Sequence, residues 1–396
     1  MPDVGNVQSR YRTLVQHPVA ARLLVAKAVS EAGDFVGLAA LLVLAYGATG
    51  SVLGPAAVLA ARSLPALAVA ILLGAWLDQP SRRASLVTLS LLGGLVIAIP
   101  AARPSAVTAI VAAGLLGAVR AAHQSVHAAT VAASVPADLR LPLFGLSAAI
   151  NQGSQVIGIL CGASLAVTVG PRTALIIDLV SFLCAAAVFA TLPGTATVDR
   201  PRRLPALLGL QIIWGQPVLR TLAVVTWVTF LSSELPEATA ASLGGRAWTP
   251  ALMSASAVGG TAFTFLVART RFLRPVTHQI HAAIGMGVAL AMTGVVLLAS
   301  GPQWLLVIGN SAIGAGAGWV VGAQATFAEL TPVEHMGQVE ATMVATNIVA
   351  GGLGILLLSS VATMAGPGSS YLVAGAVLTT IGSVAIRRMH VSSPAP

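Results

Sequence analysis

The sequence predicts an all-α polytopic membrane protein, with twelve transmembrane helices in two six-helix bundles and both termini in the cytoplasm. Composition indicates the membrane: 56% of the 396 residues are hydrophobic, 8% are charged and the mean hydropathy is +0.89. Soluble domains usually carry about 25% charged residues. Apolar runs of about twenty residues, enough to span a bilayer, recur along the whole chain. Arginines concentrate in alternate loops, which fixes the orientation.

The apolar runs form two sets of six, separated by a segment of different composition. We place the first set at 19–46, 51–77, 84–101, 106–128, 142–169 and 172–192. The second set lies at 217–243, 249–268, 280–299, 303–328, 338–362 and 369–386. Prolines and arginines make 193–216 a basic linker on the cytoplasmic membrane surface. The predicted domains are therefore 1–192 and 217–396, related as repeats.

Loop charge predicts the orientation. With the N-terminus inside, one side collects Arg10, Arg12, Arg82, Arg83, Arg140, Arg200, Arg202, Arg203, Arg220, Arg269, Arg271, Arg274, Arg387 and Arg388. The other side keeps Arg103, Arg172 and Arg246. This asymmetry predicts cytoplasmic termini and an even helix count. The net charge of +9 does not indicate nucleic-acid binding, because the arginines are dispersed at helix ends without stacking aromatics.

Neither an enzyme nor a metal site is expected. Cys161 and Cys184 sit in apolar runs without metal-like spacing, which favours reduced packing residues. His123 and His127, four apart, suit a metal only if a third ligand joins them, and the sequence offers none. We find no Ser-His-Asp set, no paired carboxylates in a polar site and no zinc spacing, and we predict no cofactor beyond a proton gradient.

Three ionisable residues share one face of the first predicted helix. Lys27, Glu31 and Asp34 fall within an arc of about 60° at 100° per residue. Each charge at a membrane centre costs about 2.5–3.5 kcal/mol, so they must pair or face water. Lys27 and Glu31 can pair along the helix. Asp34 lies at a depth similar to that of Arg62 on the next helix, and we predict that these two meet, as a proton-binding pair or as a permanent structural ion pair.

A loop motif indicates the family. Between the second and third predicted helices, Gly74, Asp78, Arg82 and Arg83 follow the spacing Gly-x-x-x-Asp-x-x-x-Arg-Arg. This resembles the signature loop of the major facilitator superfamily, whose second glycine is replaced here by Ser81. The resemblance implies twelve helices, alternating access and a conformational role for the loop. It also implies that Arg120, on the fourth helix, pairs with Asp78 or lines the inner vestibule.

Further stretches resemble the drug- and siderophore-exporter branch, and they cover most of the N-terminal half. They are Ser30-x-x-Gly33-Asp34, Thr49-Gly50-Ser51, Arg62-x-x-Pro65 and Gly170-Pro171-Arg172. In the C-terminal half the resemblance depends mainly on hydropathy. The stretch Gly158–Ala163 lacks the proline and the last glycine of the antiporter motif, which weakens a direct inference of antiport.

Two acids flank a proline in the seventh predicted helix. Glu234 and Glu237 bracket Pro236, which interrupts backbone hydrogen bonding. Such breaks are tolerated where a helix lines a cavity, so a gating or substrate-contact role is one interpretation. An exposed position at the outer end is the other.

Together these observations predict a secondary transporter that exports a small amphipathic or lipophilic compound, driven by protons, from a bacterial inner membrane. Glu31 and Asp34 would make the cavity negative. Its expected partners are the substrate, protons and membrane lipids, and the expected state is a monomer. Uptake or lipid translocation on the same fold is an alternative. A sensor or scaffold that no longer transports is another, favoured by the altered loop motif.

Overall fold

The computed structural model describes residues 11–72, 81–193, 208–268, 276–332 and 335–392, and these residues form helices joined by short turns. The helices are α1 (11–16), α2 (Pro18–Thr49), α3 (Leu53–Leu72), α4 (Arg82–Ala102), α5 (Ala106–Ser134), α6 (Ala137–Thr168), α7 (Pro171–Ala190), α8 (Leu208–Gly215), α9 (Pro217–Ser233), α10 (Leu235–Ala268), α11 (Val276–Leu298), α12 (Gln303–Ala317), α13 (Val320–Leu330), α14 (Met336–Ala365) and α15 (Pro367–Ser392). Among the described residues, ten helical stretches are long and apolar enough to cross a membrane.

The chain divides into two compact units. The N-terminal unit contains Met1–Ala48 and Leu64–Pro201, and the C-terminal unit contains Thr49–Ser63 and Arg202–Pro396. The first part of α3, with Arg62, belongs to the C-terminal unit. Most of the predicted linker at 193–216 lies outside the described residues, and its last part forms the short helix α8.

Helix boundaries in the C-terminal unit follow its prolines and glycines. One continuous apolar stretch, Pro217–Leu266, covers two predicted helices, 217–243 and 249–268. Between them Gly245 has φ 52° and ψ −156°, a backbone conformation open essentially only to glycine. The predicted helix 303–328 is interrupted instead, because α12 ends at Ala317 and α13 begins at Val320. The ten membrane-spanning stretches are fewer than the twelve predicted helices partly because Pro217–Leu266 counts as one stretch but covers two predicted helices.

Each unit has its own hydrophobic core. In the N-terminal unit α4 packs against α5 and α7, around buried side chains that include Leu23, Leu86 and Phe189. In the C-terminal unit α11 packs against α12 and α15, and α9 packs against α14 and α15. Trp319 is fully buried in this second core.

Two glycines let α2 approach α7 closely. A β-carbon at Gly33 would overlap the Ser181 side chain, and one at Gly37 would overlap the Asp178 carboxylate. Asp178 is 1% exposed and accepts a hydrogen bond from the Ser181 hydroxyl at 3.4 Å. The close approach thus encloses a polar group between two apolar helices. Helix contacts in membranes are typically lined by small residues, because the hydrophobic effect does not drive helices together in lipid and close packing has to do so.

We predict that Gly37→Ala destabilises the protein by about 1–3 kcal/mol, because the added methyl group forces the Asp178 carboxylate out of its buried position. Thermal unfolding of the detergent-purified variant would measure the loss. Gly47→Ala is the matched control, since a β-carbon there meets nothing within 4 Å. Equal unfolding temperatures for the two variants would contradict the packing argument.

Candidate functional site

A network of four charged side chains lies inside the N-terminal unit. On α2, Lys27 Nζ lies 2.8 Å from Glu31 Oε1. Arg120 of α5 reaches both acids of α2: its Nη2 lies 2.7 Å from Glu31 Oε2 and its Nη1 lies 3.3 Å from Asp34 Oδ2. From α6, Asn151 Nδ2 donates to Glu31 Oε2 at 3.0 Å. The network therefore joins three helices through one buried glutamate.

The formal charges of the network balance, with two cations facing two carboxylates. Glu31 is the most enclosed member, with 8% of its side chain exposed, against 18% for Asp34 and 22% for Arg120. The guanidinium of Arg120 also lies 5.5 Å from the centroid of the Phe35 ring, which supports it by a cation–π contact. Balanced charge and mutual hydrogen bonds make these residues tolerable among apolar helices.

Arg120 has two carboxylate partners that the sequence analysis does not assign to it. The family resemblance predicts that Arg120 pairs with Asp78 or lines the inner vestibule. In the described part of the chain its carboxylate partners are Glu31 and Asp34, and Asp78 lies outside that part. The sequence indicates that the charged residues of α2 need partners. It does not indicate which neighbouring helix supplies those partners. Asn151 was missed altogether, although the polar pair Asn151-Gln152 inside an apolar run was a usable signal.

The predicted pairing of Asp34 with Arg62 stays a prediction. The two residues belong to different units. Within the C-terminal unit, Arg62 lies in electrostatic range of Glu234. This interaction connects the first part of α3 with the break between α9 and α10.

Two histidines continue the charged face of α5. The rings of His123 and His127 stack with centroids 6.5 Å apart, and His123 packs against Phe189 at 5.1 Å. The Nε2 atom of each ring is buried without a hydrogen-bond partner in the described chain. Within that chain no group of three His, Cys, Asp or Glu side chains could hold a metal.

In the C-terminal unit the two predicted glutamates stand at a helix break. α9 ends at Ser233, Glu234 caps it, and α10 begins at Leu235, so Glu237 lies in the first turn of α10. Glu237 Oε1 accepts a hydrogen bond from the Ser256 hydroxyl farther along α10. The Oε2 atoms of Glu234 and Glu237 are buried and have no hydrogen-bond partner among the described residues. The alternative of an exposed outer-end position does not fit these buried oxygens.

A chain of polar side chains connects the helices next to these acids. Thr239 of α10 and the Tyr371 hydroxyl of α15 lie 3.0 Å apart. That hydroxyl donates to Asn310 Oδ1 of α12 at 3.4 Å, and Asn310 Nδ2 donates to the Leu252 carbonyl at 3.2 Å. All three side chains are almost fully buried. The chain joins α10, α12 and α15 by bonds that are costly to break in an apolar interior.

The C-terminal unit also encloses a cavity of about 170 Å³ between α9, α13 and α14. Its wall is mostly apolar, with a few polar groups at intervals. It is lined by Thr226, Val320, Ala323, Gln324, Phe327, Ala328, Thr331, Met336, Val339, Glu340, Met343, Val344 and Asn347. Thr331 Oγ1 and Asn347 Oδ1 are buried without a hydrogen-bond partner in the described chain. The cavity could therefore hold a small, largely apolar molecule.

The predicted signature loop is described only at its end, because Gly74 and Asp78 lie outside the described residues. Ser81 caps α4 by accepting a hydrogen bond from the Ala84 amide at 3.3 Å, a role that the usual glycine has no side chain to perform. Arg83 Nη1 donates to the Leu192 carbonyl at 3.4 Å. Arg82 Nη1 is buried without a hydrogen-bond partner in the described chain.

Comparison with solved structures identifies the fold. The chain is similar to a nucleoside transporter, NupG (14% identity, 93% of this chain and 98% of that chain, TM-score 0.71). It is also similar to an auto-inhibited POT family peptide transporter (14%, 94% and 97%, TM-score 0.75) and to a D-xylose-proton symporter (16%, 91% and 96%, TM-score 0.65). No protein-family model and no curated protein matches the sequence significantly. These neighbours are transporters of the major facilitator type, so the chain has that fold.

We predict that Arg120→Gln destabilises the protein by about 1–3 kcal/mol, between the values for exposed and fully buried pairs, because two partly enclosed carboxylates lose their shared cation. Chemical or thermal unfolding measures the effect. Adding Asp34→Asn to the Arg120→Gln variant should recover part of the lost stability, because the uncompensated charge of Asp34 is then removed.

Arg103→Gln is the control, as this arginine is exposed at the end of α4. If the double variant unfolds as readily as Arg120→Gln alone, the shared-cation account is wrong.

Proposed function

We propose that this protein is a secondary active transporter that works by alternating access. The observation that carries the proposal is the similarity, over more than nine tenths of the chain, to transporters named for three substrate classes: nucleosides, peptides and a sugar. The long apolar helices support a multi-pass membrane location. We further propose a bacterial inner membrane with both termini cytoplasmic, a monomer, and proton-coupled export of a small amphipathic or lipophilic compound.

The proposed proton site in the N-terminal unit is Asp34. Arg120 holds Glu31 at 2.7 Å but Asp34 at 3.3 Å, and Asn151 adds a second hydrogen bond to Glu31. Arg120 therefore lies farther from Asp34 than from Glu31, and Asp34 is the more exposed of the two acids. A proton on Asp34 leaves the network with one excess positive charge, which weakens the hold of Arg120 on α2. Protonation thus changes how α2 and α5 are joined.

The C-terminal unit supplies a second proposed proton site. Glu234 and Glu237 are three residues apart, and each has a buried oxygen without a partner in the described chain. We propose that one of these two carboxylates takes up a proton during the transport cycle. Arg62 of the same unit lies in electrostatic range of Glu234.

The composition of the cavity supports an amphipathic substrate. Phe327, Met336 and Met343 offer apolar contacts, and Asn347 offers an acceptor without a partner in the described chain. Glu340 at the same cavity adds a negative charge for a cationic group. A volume of about 170 Å³ accommodates a small ligand or one end of a larger one.

Uptake is the second candidate function, because one structural neighbour is named a proton symporter. The buried acids serve either direction, since a proton can move with the substrate or against it. Lipid translocation and a non-transporting sensor or scaffold use the same fold. Direction and coupling therefore need a flux measurement.

Proteoliposomes with an imposed pH gradient separate these functions. A pH-sensitive dye inside the vesicles would report proton movement when a panel of lipophilic cations, nucleosides, peptides or sugars is added. Proton movement opposite to the compound supports export, and co-directional movement supports uptake. Movement of phospholipid between leaflets supports lipid translocation. No flux of any compound supports the sensor.

For the compound that moves, we predict that Asp34→Asn abolishes proton-coupled accumulation while leaving downhill exchange measurable, because asparagine cannot carry the proton. Asp138→Asn is the matched control, since Asp138 is exposed at the start of α6. Undiminished coupling in Asp34→Asn would eliminate Asp34 as the proton site.

We also predict that Glu237→Gln reduces the pH dependence of transport. Glutamine imitates the protonated acid, so the variant should behave at high pH as the parent does at low pH. Transport rates across a pH series, compared with those of Glu329→Gln at an exposed position, measure the effect. A pH profile unchanged from the parent would show that the C-terminal acids only support the structure.

A further inference from the structure

A second and larger cavity lies on the C-terminal unit where α9 begins and α15 approaches its end. Its volume is about 930 Å³, and it is open along one side as a groove. Its wall combines apolar side chains with three arginines. It is lined by Trp214, Pro217, Val218, Arg220, Thr221, Val224, Val225, Ile381, Val384, Ala385, Arg387, Arg388 and Met389.

The three arginines give one end of the groove a strong positive charge. Arg220 comes from the first turn of α9, and Arg387 and Arg388 come from the last turns of α15, and all three are exposed. No acidic residue occurs among the described residues that line the groove. The guanidinium groups therefore favour an anion, and the planar fork of arginine suits a phosphate in particular.

The rest of the groove is apolar and belongs to helices of membrane-spanning length. Val224, Ile381 and Val384 form its wall, and Val384 is 44% exposed. Trp214, at the charged end, stacks on Trp227 with centroids 5.6 Å apart. Tryptophan is enriched where a membrane protein meets the headgroup layer, which identifies this end as the interfacial one.

We propose that this groove binds one anionic phospholipid, with its phosphate on the three arginines and an acyl chain along the valine wall. A free phosphate would leave the apolar wall of the groove uncovered. A phospholipid covers both the arginines and the apolar wall. A zwitterionic lipid would bring its own cation towards the arginines, so an acidic headgroup binds more favourably. The site is separate from the buried acids and does not depend on the transport activity proposed above.

Native mass spectrometry of the full-length protein tests the charge requirement. The protein would be released from nanodiscs that contain equal amounts of phosphatidylglycerol and phosphatidylcholine, and retained lipids would be counted. We expect one phosphatidylglycerol per protein in excess of phosphatidylcholine. The triple variant R220Q/R387Q/R388Q should lose that preference by about tenfold or more, because each interfacial arginine contributes several-fold.

The control carries the same change in charge elsewhere. R103Q/R172Q/R246Q replaces three exposed arginines outside the groove and should keep the bound lipid. Equal retention of the two lipids by the parent, or equal loss in the two triple variants, would overturn the proposal. Thermal unfolding of each variant shows whether a loss follows from misfolding.

A second pair of variants tests the apolar wall without altering charge. V384W fills the groove and should displace the acyl chain, whereas V377W, at a position 40% exposed on the same helix but outside the groove, should not. Retention of phosphatidylglycerol by V384W would contradict the acyl-chain position. Complete displacement of the lipid by inorganic phosphate would show an anion site instead and would overturn the proposal.

Discussion

The charged network of the N-terminal unit depends on one constraint: a bilayer offers no water to solvate an isolated ion. Four ionisable side chains therefore have to balance within the protein, and Arg120 makes this possible by serving both acids of α2. The guanidinium contacts each acid through a different nitrogen, whereas lysine has a single charged nitrogen. Glu31 links α2 to both α5 and α6, because it accepts hydrogen bonds from Arg120 and from Asn151.

The same constraint explains the small residues of α2. Asp178 of α7 is buried next to Gly33 and Gly37, where any larger side chain would occupy its place. A polar group without water must be enclosed by groups that bond to it, and Ser181 provides one such bond. One face of α2 therefore bears the charged network while its glycines accept α7. The helix that looks most anomalous in sequence is thus the one that organises its unit.

Much of the fold could be predicted from the sequence because each signal was local. Apolar length located the helices, Pro236 marked the break between α9 and α10, and Gly245 lies between two predicted helices. The site was harder. Depth along a helix follows from 1.5 Å per residue, so Asp34 and Arg62 could be compared in depth. The direction in which each helix faces its neighbours does not follow from depth, and the partnership of Arg120 with Asp34 depends on that direction. Asn151 is recognisable in the sequence as a polar residue in an apolar run, but its contact with Glu31 depends on the same direction.

The two units treat their acids differently, and this difference bears on energy coupling. In the N-terminal unit Glu31 and Asp34 each have a cation within 3.3 Å, so adding a proton to either breaks an existing balance. In the C-terminal unit Glu234 and Glu237 each keep a buried oxygen without a hydrogen-bond partner in the described chain, so a proton added to that oxygen replaces no hydrogen bond there. Under the proposed proton coupling, a proton would therefore have different consequences in the two units. Proton coupling requires a proton to stabilise some states of a transporter more than others, because a proton that stabilised every state equally would shift no equilibrium between them.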